Sequence, residues 1–265
     1  MKKLVLSIIA MYCFNIANAQ DEITVSPILS SKGENYLPQI DDWAISFNAN
    51  GVFNYLGNAF HGDTRNDAPT VGYVEGNTNT FVGKKFISDK KAYRVVLNLG
   101  FGANSETIPD IATGDFTTEY KYTNLDLAFG LGKEWRKGNT RLQGFYGADA
   151  LILTGFNNSE STATVNEDGS LIQKVEYKSG LDLGAGIQGF LGAEYFIFPK
   201  FALGAQYTYR VGFLMNGKSE TTTTDAAGVS QTVDGGKSFS FALGDLRSNQ
   251  NVGFGIASIN LTLYF

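Results

Sequence analysis

The sequence has 265 residues, of which 31 are glycine, with one cysteine and a formal net charge of −5. An acidic chain lacks the cationic surface that contact with nucleic-acid phosphates requires, so we expect no nucleic-acid partner. A single cysteine excludes an internal disulfide and a thiolate metal site. No segment reaches the ~18 consecutive apolar residues of a transmembrane helix.

Residues 1–19 are typical of a secretory signal peptide. Two lysines are followed by an apolar stretch from Leu4 to about Phe14, and Ala17-Asn18-Ala19 supplies a small-x-small cleavage pattern. That apolar stretch is too short to cross ~30 Å of hydrocarbon as a helix, which disfavours a membrane anchor; a lipoprotein is a weaker alternative. We therefore expect a mature chain that begins at Gln20, with a short periplasmic segment over residues 20–42.

Eight later segments alternate apolar and polar residues, which is the periodicity of a β-strand. In the clearest of them, Phe201 to Met215, apolar residues occupy the odd positions, and Gly, Gln, Thr and Arg are among the even ones. The second segment, Thr80 to Ile87, contains a Lys84-Lys85 pair that interrupts the alternation, so its two faces stay unassigned. The eight segments begin near residues 43, 80, 94, 124, 141, 181, 201 and 257.

Short and long connections alternate between these segments. The short ones lie at 88–91, 136–139 and 199–200, and the long polar ones at about 53–79, 103–120, 155–179 and 216–250. An even strand number with tight turns on one side and long loops on the other is typical of outer-membrane barrels. We therefore predict an all-β fold: an eight-stranded antiparallel up-and-down transmembrane β-barrel over residues 43–265.

A soluble barrel of the lipocalin kind also alternates, but it places its apolar face inward. The polar face here is rich in glycine, which weakens a strand and has no purpose on a surface that faces water. Inside a narrow eight-stranded barrel, by contrast, long side chains need small neighbours. We therefore predict that the polar face is inside and that the apolar face meets lipid, since a closed barrel leaves no backbone group unpaired in hydrocarbon.

The last strand is apolar at alternate positions and ends in Leu261, Leu263 and Phe265. This pattern resembles the C-terminal signature of bacterial outer-membrane barrels, and the segment from Phe196 to Tyr209 is similar to small barrels from Bacteroidota. The resemblance covers about residues 43–265 and implies an integral outer-membrane protein of the OmpA-barrel or OmpX-like kind. It also implies that these three C-terminal residues form a signal for the outer-membrane assembly machinery.

Charged residues on the polar face are the most informative candidates for a site. Side chains fill the interior of an eight-stranded barrel, and charges held there need partners. We expect a network of salt bridges and hydrogen bonds in which Arg210 pairs with Asp182 or Glu194. A narrow polar path and catalysis by a carboxylate are the alternatives. The predicted network comprises Arg94, Asp126, Glu134, Arg141, Asp149, Asp182, Glu194 and Arg210.

Other chemistry has little support in the sequence. The single histidine, His61, lies in a long polar connection without a recognisable motif, and no clustered ligands indicate a metal site. We therefore expect no catalytic residue, no cofactor and no metal.

The third and fourth long connections have β-branched runs on both sides of glycine-containing turns, over 161–177 and 220–233. These patterns predict adjoining β-ribbons with a free edge for an extracellular protein partner. The predicted function is thus a monomeric, non-enzymatic protein in contact with outer-membrane lipids, with a structural or surface-interaction role. A transporter of small or hydrophobic molecules and a lipid-modifying enzyme are the alternatives.

Overall fold

A computed structural model describes residues 27–49, 81–109, 115–165, 169–244 and 255–265. The predicted signal peptide, residues 20–26 of the predicted periplasmic segment, His61 and residues 166–168 of the third long connection lie outside these ranges. The described residues contain twelve strands and no helix, so the all-β prediction is confirmed for them. The strands are β1 (Trp43–Asn48), β2 (Phe81–Ser88), β3 (Lys91–Pro109), β4 (Phe116–Lys137), β5 (Leu142–Val165), β6 (Leu171–Lys178), β7 (Asp182–Phe198), β8 (Phe201–Asn216), β9 (Glu220–Asp225), β10 (Ser230–Asp234), β11 (Ser238–Gly244) and β12 (Ile256–Tyr264).

The strands belong to one antiparallel sheet, and eight of them pair in a closed cycle. Along the cycle, β1, β2, β3, β4 and β5 pair in sequence order. The path then continues from β5 through β7 and β8 to β12, which returns to β1. We call this cycle the strand ring. No helix within the described ranges is long and apolar enough to cross a membrane, a finding that does not bear on strands.

The described residues contain twelve strands, of which eight form the ring; β6, β9 and β10 lie where the sequence predicted ribbons, and only β11 was not predicted. Ser238–Gly244 was predicted to lie in a loop, yet it forms β11 and pairs with the second half of β8. Its apolar residues Phe239, Phe241 and Leu243 alternate with Ser and Ala, which is a strand pattern that the prediction missed. The long connections are also shorter than predicted, since β3 continues to Pro109 and β5 to Val165.

One end of the strand ring carries the tight turns after β2, β4 and β7, and we call it the short-turn end. The first and last ring strands meet there, since the Trp43 amide donates to the Phe265 carbonyl oxygen at 2.7 Å. Residues 27–42 fold over this end. The Asp41 amide donates to the Phe86 carbonyl, and Tyr36 and Leu37 pack against a buried cluster. The cluster consists of Ala44, Phe86, Ala92, Phe196, Ala202 and Tyr264.

The opposite end of β4 and β5 extends beyond the ring. There residues 158–164 of β5 pair with β6, β6 pairs with β9, and β9 pairs with β10. Thr223, for example, lies opposite Val175. We call this region, with residues 116–123 of β4 and 158–165 of β5, the ribbon sheet. The third and fourth long connections thus form adjoining ribbons as the sequence predicted.

Candidate functional site

A contact between non-adjacent strands identifies the interior of the ring. The Lys84 Nζ atom on β2 lies 3.0 Å from the Glu194 Oε1 atom on β7 and 3.1 Å from the Glu134 Oε2 atom on β4. Because β2 pairs only with β1 and β3 among the described strands, the contact with β7 must cross the ring. The polar face therefore points inward.

Glu194 is the most heavily bonded carboxylate in this interior. Its two oxygens accept hydrogen bonds from the Lys84 ammonium, from the Arg136 guanidinium and from the hydroxyl groups of Tyr264 and Thr262. Arg136 also donates to the Tyr264 hydroxyl at 2.8 Å. These donors come from strands β2, β4 and β12, so one carboxylate on β7 joins four strands of the ring.

A second carboxylate, Glu134, extends the network along the interior. Arg94 Nη1 donates to Glu134 Oε2 at 2.7 Å, and Arg136 Nε lies 3.1 Å from Glu134 Oε1. Arg94 also forms an ion pair with Asp149, with 3.3 Å between Nε and Oδ1. Glu134 thus contacts three cations, since Lys84 also lies beside it.

The network continues away from the short-turn end through an amide. Gln188 Nε2 donates to Asp149 Oδ2 at 2.7 Å, and Arg210 Nε donates to Gln188 Oε1 at 3.0 Å. Aromatic rings complete the packing around the guanidinium groups. The Arg94 Cζ atom lies 3.7 Å from the centroid of the Phe190 ring, which is within cation–π range.

We call the seven charged members of this cluster the interior ionic network. It has four cations (Lys84, Arg94, Arg136 and Arg210) and three carboxylates (Glu134, Asp149 and Glu194), and all seven residues are at most 3% exposed. Burying a charge costs free energy unless partners are close, and here each carboxylate contacts at least one cation. The arrangement binds side chains to one another and fills the ring.

Five of the eight residues that the sequence singled out lie in this network: Arg94, Glu134, Asp149, Glu194 and Arg210. Asp126 and Asp182 are only partly buried and lie further from the short-turn end, and Asp126 accepts a hydrogen bond from the Asn124 amide at 3.2 Å. The cations beside Glu194 are Lys84 and Arg136 rather than Arg210, which contacts Gln188.

Arg141 lies elsewhere than predicted. It precedes β5 at a tight turn, where its guanidinium donates to the Phe196 carbonyl at 2.7 Å and to the Ile197 carbonyl at 2.6 Å. The same group lies 4.5 Å from the Tyr36 ring and 5.0 Å from the Tyr195 ring. At the end of a strand, a long side chain can reach carbonyl groups of the next turn, so strand parity does not determine its position.

Three further residues of the site, Lys84, Arg136 and Tyr264, were not predicted from the sequence. Lys84 shares its face with two inward apolar residues, Val82 and Phe86, which disguises the alternation of β2. Arg136 was assigned to a turn, although it lies two residues after Glu134 and therefore has the same parity. Tyr264 follows Thr262 with that same parity on the inward face of β12.

The ribbon sheet is a second candidate site because its side chains are exposed and polar. Hydroxyl pairs cross from β9 to β10, at 2.9 Å for Thr222 with Thr232 and at 2.8 Å for Thr224 with Ser230. Next to them, the Glu160 carboxylate beside Lys174 holds the pKa of that ammonium above its usual value. Within the described residues β10 pairs only with β9, and all five of its residues are exposed.

The described residues contain no group of three or more His, Cys, Asp or Glu side chains that could hold a metal ion. Apart from lysines near the short-turn end, the outward face of the ring is apolar, with the side chains of Phe101, Ile152, Ile187 and Leu191 all more than 60% exposed.

No family profile matches the sequence, and no curated protein is similar to it. One solved structure with some similarity is a major outer membrane protein from Thermus thermophilus. The two sequences are 11% identical, and the match covers 85% of this chain and 98% of that one, with a TM-score of 0.26. Such a TM-score is too low to equate the two folds.

Proposed function

We propose that this chain is an integral outer-membrane protein whose strand ring is a closed eight-stranded transmembrane β-barrel with a filled interior. The observation that carries the proposal is the Lys84–Glu194 contact across the ring. It puts the ionic side chains inside and leaves a continuous band of exposed apolar side chains outside. In water such a band would be an unusually large apolar patch, whereas in a bilayer it meets hydrocarbon.

Ring closure supports the same proposal. A strand in hydrocarbon must have every backbone group paired, and only closed sheets and helices meet that condition. Each of the eight ring strands pairs with two ring neighbours. Of the four remaining strands, β6, β9 and β10 belong to the ribbon sheet and need no place in the membrane, whereas β11 pairs with β8 and continues the ring beyond β12.

The filled interior favours a role that does not depend on an open pore. Arg94, Arg136 and Glu134 are fully packed between strands, and Phe145 and Phe190 contribute apolar bulk beside them. We therefore assign the barrel a structural role and the ribbon sheet an interaction role. The protein acts as a monomer and without enzymatic chemistry.

The interaction role rests on the edge strand β10. Its exposed Ser, Gln and Thr side chains and its backbone on the side away from β9 resemble the edges to which extended peptides add as a further strand. The partner would therefore be an extracellular protein with an extended segment. Backbone hydrogen bonds would supply most of the affinity.

Planar-bilayer recordings test the filled barrel. The wild-type protein should show no steady conductance on the nanosiemens scale. Replacing Arg94, Glu134 and Arg136 together by alanine should produce one, because these side chains occupy the interior. The matched control replaces Lys121, Glu160 and Lys174 in the ribbon sheet by alanine and should show no such conductance. A steady nanosiemens conductance from the wild-type protein would contradict the proposal and favour a transporter.

Capture from intact outer membranes tests the edge. Val233→Lys puts a charge on β10, where Val233 is 67% exposed, and should reduce capture of the partner because charges on an edge oppose strand addition. Val229→Lys is the control, since Val229 is 57% exposed but precedes β10. Equal capture by both variants and the wild type would rule out the β10 edge as the binding site.

A further inference from the structure

The outer surface of the ring carries lysines among aromatic residues near the short-turn end. Strand pairing places Trp43, Lys85, Tyr93 and Lys133 in one line across β1, β2, β3 and β4, in that order. Cation and ring therefore alternate from strand to strand. Lys91 and Trp135 form the next facing pair towards the turns, between β3 and β4.

The ammonium groups contact the rings directly. The Lys133 Nζ atom lies 5.9 Å from the centroid of Tyr93 and 5.6 Å from that of Trp135. Lys137 Nζ lies 5.9 Å from the Tyr146 ring, which itself stacks on Trp135 at 5.9 Å. We call Lys91, Tyr93, Lys133, Trp135, Lys137 and Tyr146 the basic–aromatic patch.

The patch has a net positive charge. Lys85, at its margin, forms an ion pair with Asp41 at 3.2 Å and is thereby neutralised. For Lys91, Lys133 and Lys137, by contrast, the described part of the chain contains no ion pair with an acid. Three lysines in close succession thus present uncompensated charge outward.

This charge is confined to one side and one end of the molecule. The outward-facing residues of β7, β8 and β12 are all uncharged, from Leu183 to Leu263, although Tyr195 and Phe201 lie at the same end of the ring. In the described part of the ribbon-sheet end, acidic residues outnumber lysines. The patch is therefore not part of a generally basic surface.

We propose that the basic–aromatic patch binds anionic phospholipid headgroups in the membrane leaflet at the short-turn end. Trp and Tyr side chains prefer the level of the headgroups, where an apolar ring body and a polar tip are both satisfied. Lysines at that level attract a negatively charged lipid surface. The cation–π contacts hold the ammonium groups outward over the rings, ready for a phosphate. This inference rests on the proposed membrane insertion of the ring.

Fluorescence offers a direct test because the sequence contains two tryptophans, Trp43 and Trp135, and both lie in this region. The protein is placed in bilayers in which a small fraction of the lipid is brominated near the headgroup end of its acyl chains. Bromine quenches tryptophan only at short range. Brominated phosphatidylglycerol, which is anionic, is compared with brominated phosphatidylcholine, which is zwitterionic, at equal mole fraction.

The wild-type protein should show at least about a three-fold higher apparent affinity for the anionic lipid, as expected for several cations at the headgroup level. The triple variant Lys91→Gln, Lys133→Gln and Lys137→Gln should reduce that ratio to about one. The control triple variant Lys174→Gln, Lys178→Gln and Lys218→Gln removes the same charge from the ribbon-sheet end and should leave the ratio unchanged.

The other outcomes separate the two proposals. Equal quenching by both brominated lipids in the wild-type protein would overturn the headgroup site while leaving membrane insertion intact. A preference that the patch variant retains would also overturn it. Absence of quenching by either lipid would contradict membrane insertion itself.

Discussion

The interior ionic network and the ribbon sheet both contain lysine–glutamate pairs, but in opposite surroundings. In the interior, the side chains of Lys84 and Glu134 are 2% and 0% exposed. In the ribbon sheet, those of Lys174 and Glu160 are 32% and 29% exposed, at a similar distance of 3.1 Å. The same type of ion pair is thus shielded from water in the interior and exposed to water in the ribbon sheet.

At equal distance, we expect burial to determine what each ion pair contributes to stability. Exposed pairs contribute about 0–1 kcal/mol because water competes with them. Losing one partner of a buried pair costs far more, since the charge left behind has no solvent. We therefore expect the ring interior to tolerate few substitutions and the ribbon sheet, which depends on its backbone pairing, to tolerate more.

The largest expected effect follows from removing the charge of Glu194. Glu194→Gln leaves the buried ammonium of Lys84 and the guanidinium of Arg136 with one carboxylate fewer, and it should lower the free energy of unfolding by about 3–5 kcal/mol. The matched variant Glu160→Gln in the ribbon sheet should cost at most about 1 kcal/mol. Urea unfolding of the protein folded into lipid vesicles measures both, and equal losses would remove the distinction between the two regions.

A single hydroxyl should have the next largest effect. Tyr264→Phe removes the group that donates to Glu194 and accepts from Arg136, and should cost about 1.5–3 kcal/mol because both partners are charged. Tyr195→Phe provides the comparison, since Tyr195 points outward and is 47% exposed. The same unfolding measurement applies. If Tyr195→Phe proved as costly, the hydroxyl of Tyr264 would have no special role.

Glycines that accommodate the network can be distinguished from glycines that do not. A Cβ atom at Gly132 would lie 2.1 Å from Asp149 Oδ1 and 2.2 Å from the Ala148 carbonyl oxygen. Gly132→Ala should therefore cost about 1–3 kcal/mol through overpacking. At Gly189, on the outward face, a Cβ atom meets nothing within 4 Å, so Gly189→Ala should be neutral. A stable Gly132→Ala protein would show that the interior is loosely packed.

Breaking the ribbon sheet should have a local effect only. Thr223→Pro removes a backbone donor from β9 opposite Val175, so amide hydrogen exchange should accelerate over 171–178 and 220–234. Protection in the ring strands should stay unchanged. In the wild-type protein the amides of 161–177 and 220–233 should exchange slowly. Exchange at the unstructured rate throughout would contradict both the ribbons and the proposed binding edge.

The smallest effect concerns an exposed carboxylate. Lys121 and Ser105 donate hydrogen bonds to Glu119, which lowers the pKa of Glu119. A lowered folded pKa means that the contribution of this pair to stability is present above the unfolded value and is lost as the pH falls through the folded value. Lys121→Gln should therefore raise the pKa of Glu119 in a carbon-13 NMR titration. An unchanged pKa would show that water screens the pair completely.

The sequence predicted which residues face the interior because successive residues of a strand point to opposite faces of the sheet. In β8, alternate residues from Ala202 to Gly212 are buried, as the pattern indicated. Parity fails where the interior itself contains apolar residues, as at Phe86 and Val82, because the two faces then look alike.

Parity also gives no information about which residues meet across the ring. The Lys84–Glu194 contact joins residues 110 positions apart, and it depends on strand order and on position along the axis of the strand ring. Neither quantity is encoded in local alternation. For the same reason the sequence indicated that Glu194 needs a cation but not that Lys84 and Arg136 supply it.

β11 and β12 pair with successive parts of the same edge of β8, and this arrangement has a consequence for changes in the length of the chain. Gly244 of β11 pairs with Arg210, and Ile256 of β12 pairs with Thr208, two residues away on β8. In an uninterrupted strand, one residue would lie between Gly244 and Ile256, whereas here eleven residues lie between them. Both sides of the interruption nevertheless keep the same parity towards β8. Because each strand has its own pairing with β8, we expect insertions and deletions between 245 and 255 to leave the register of both strands unchanged.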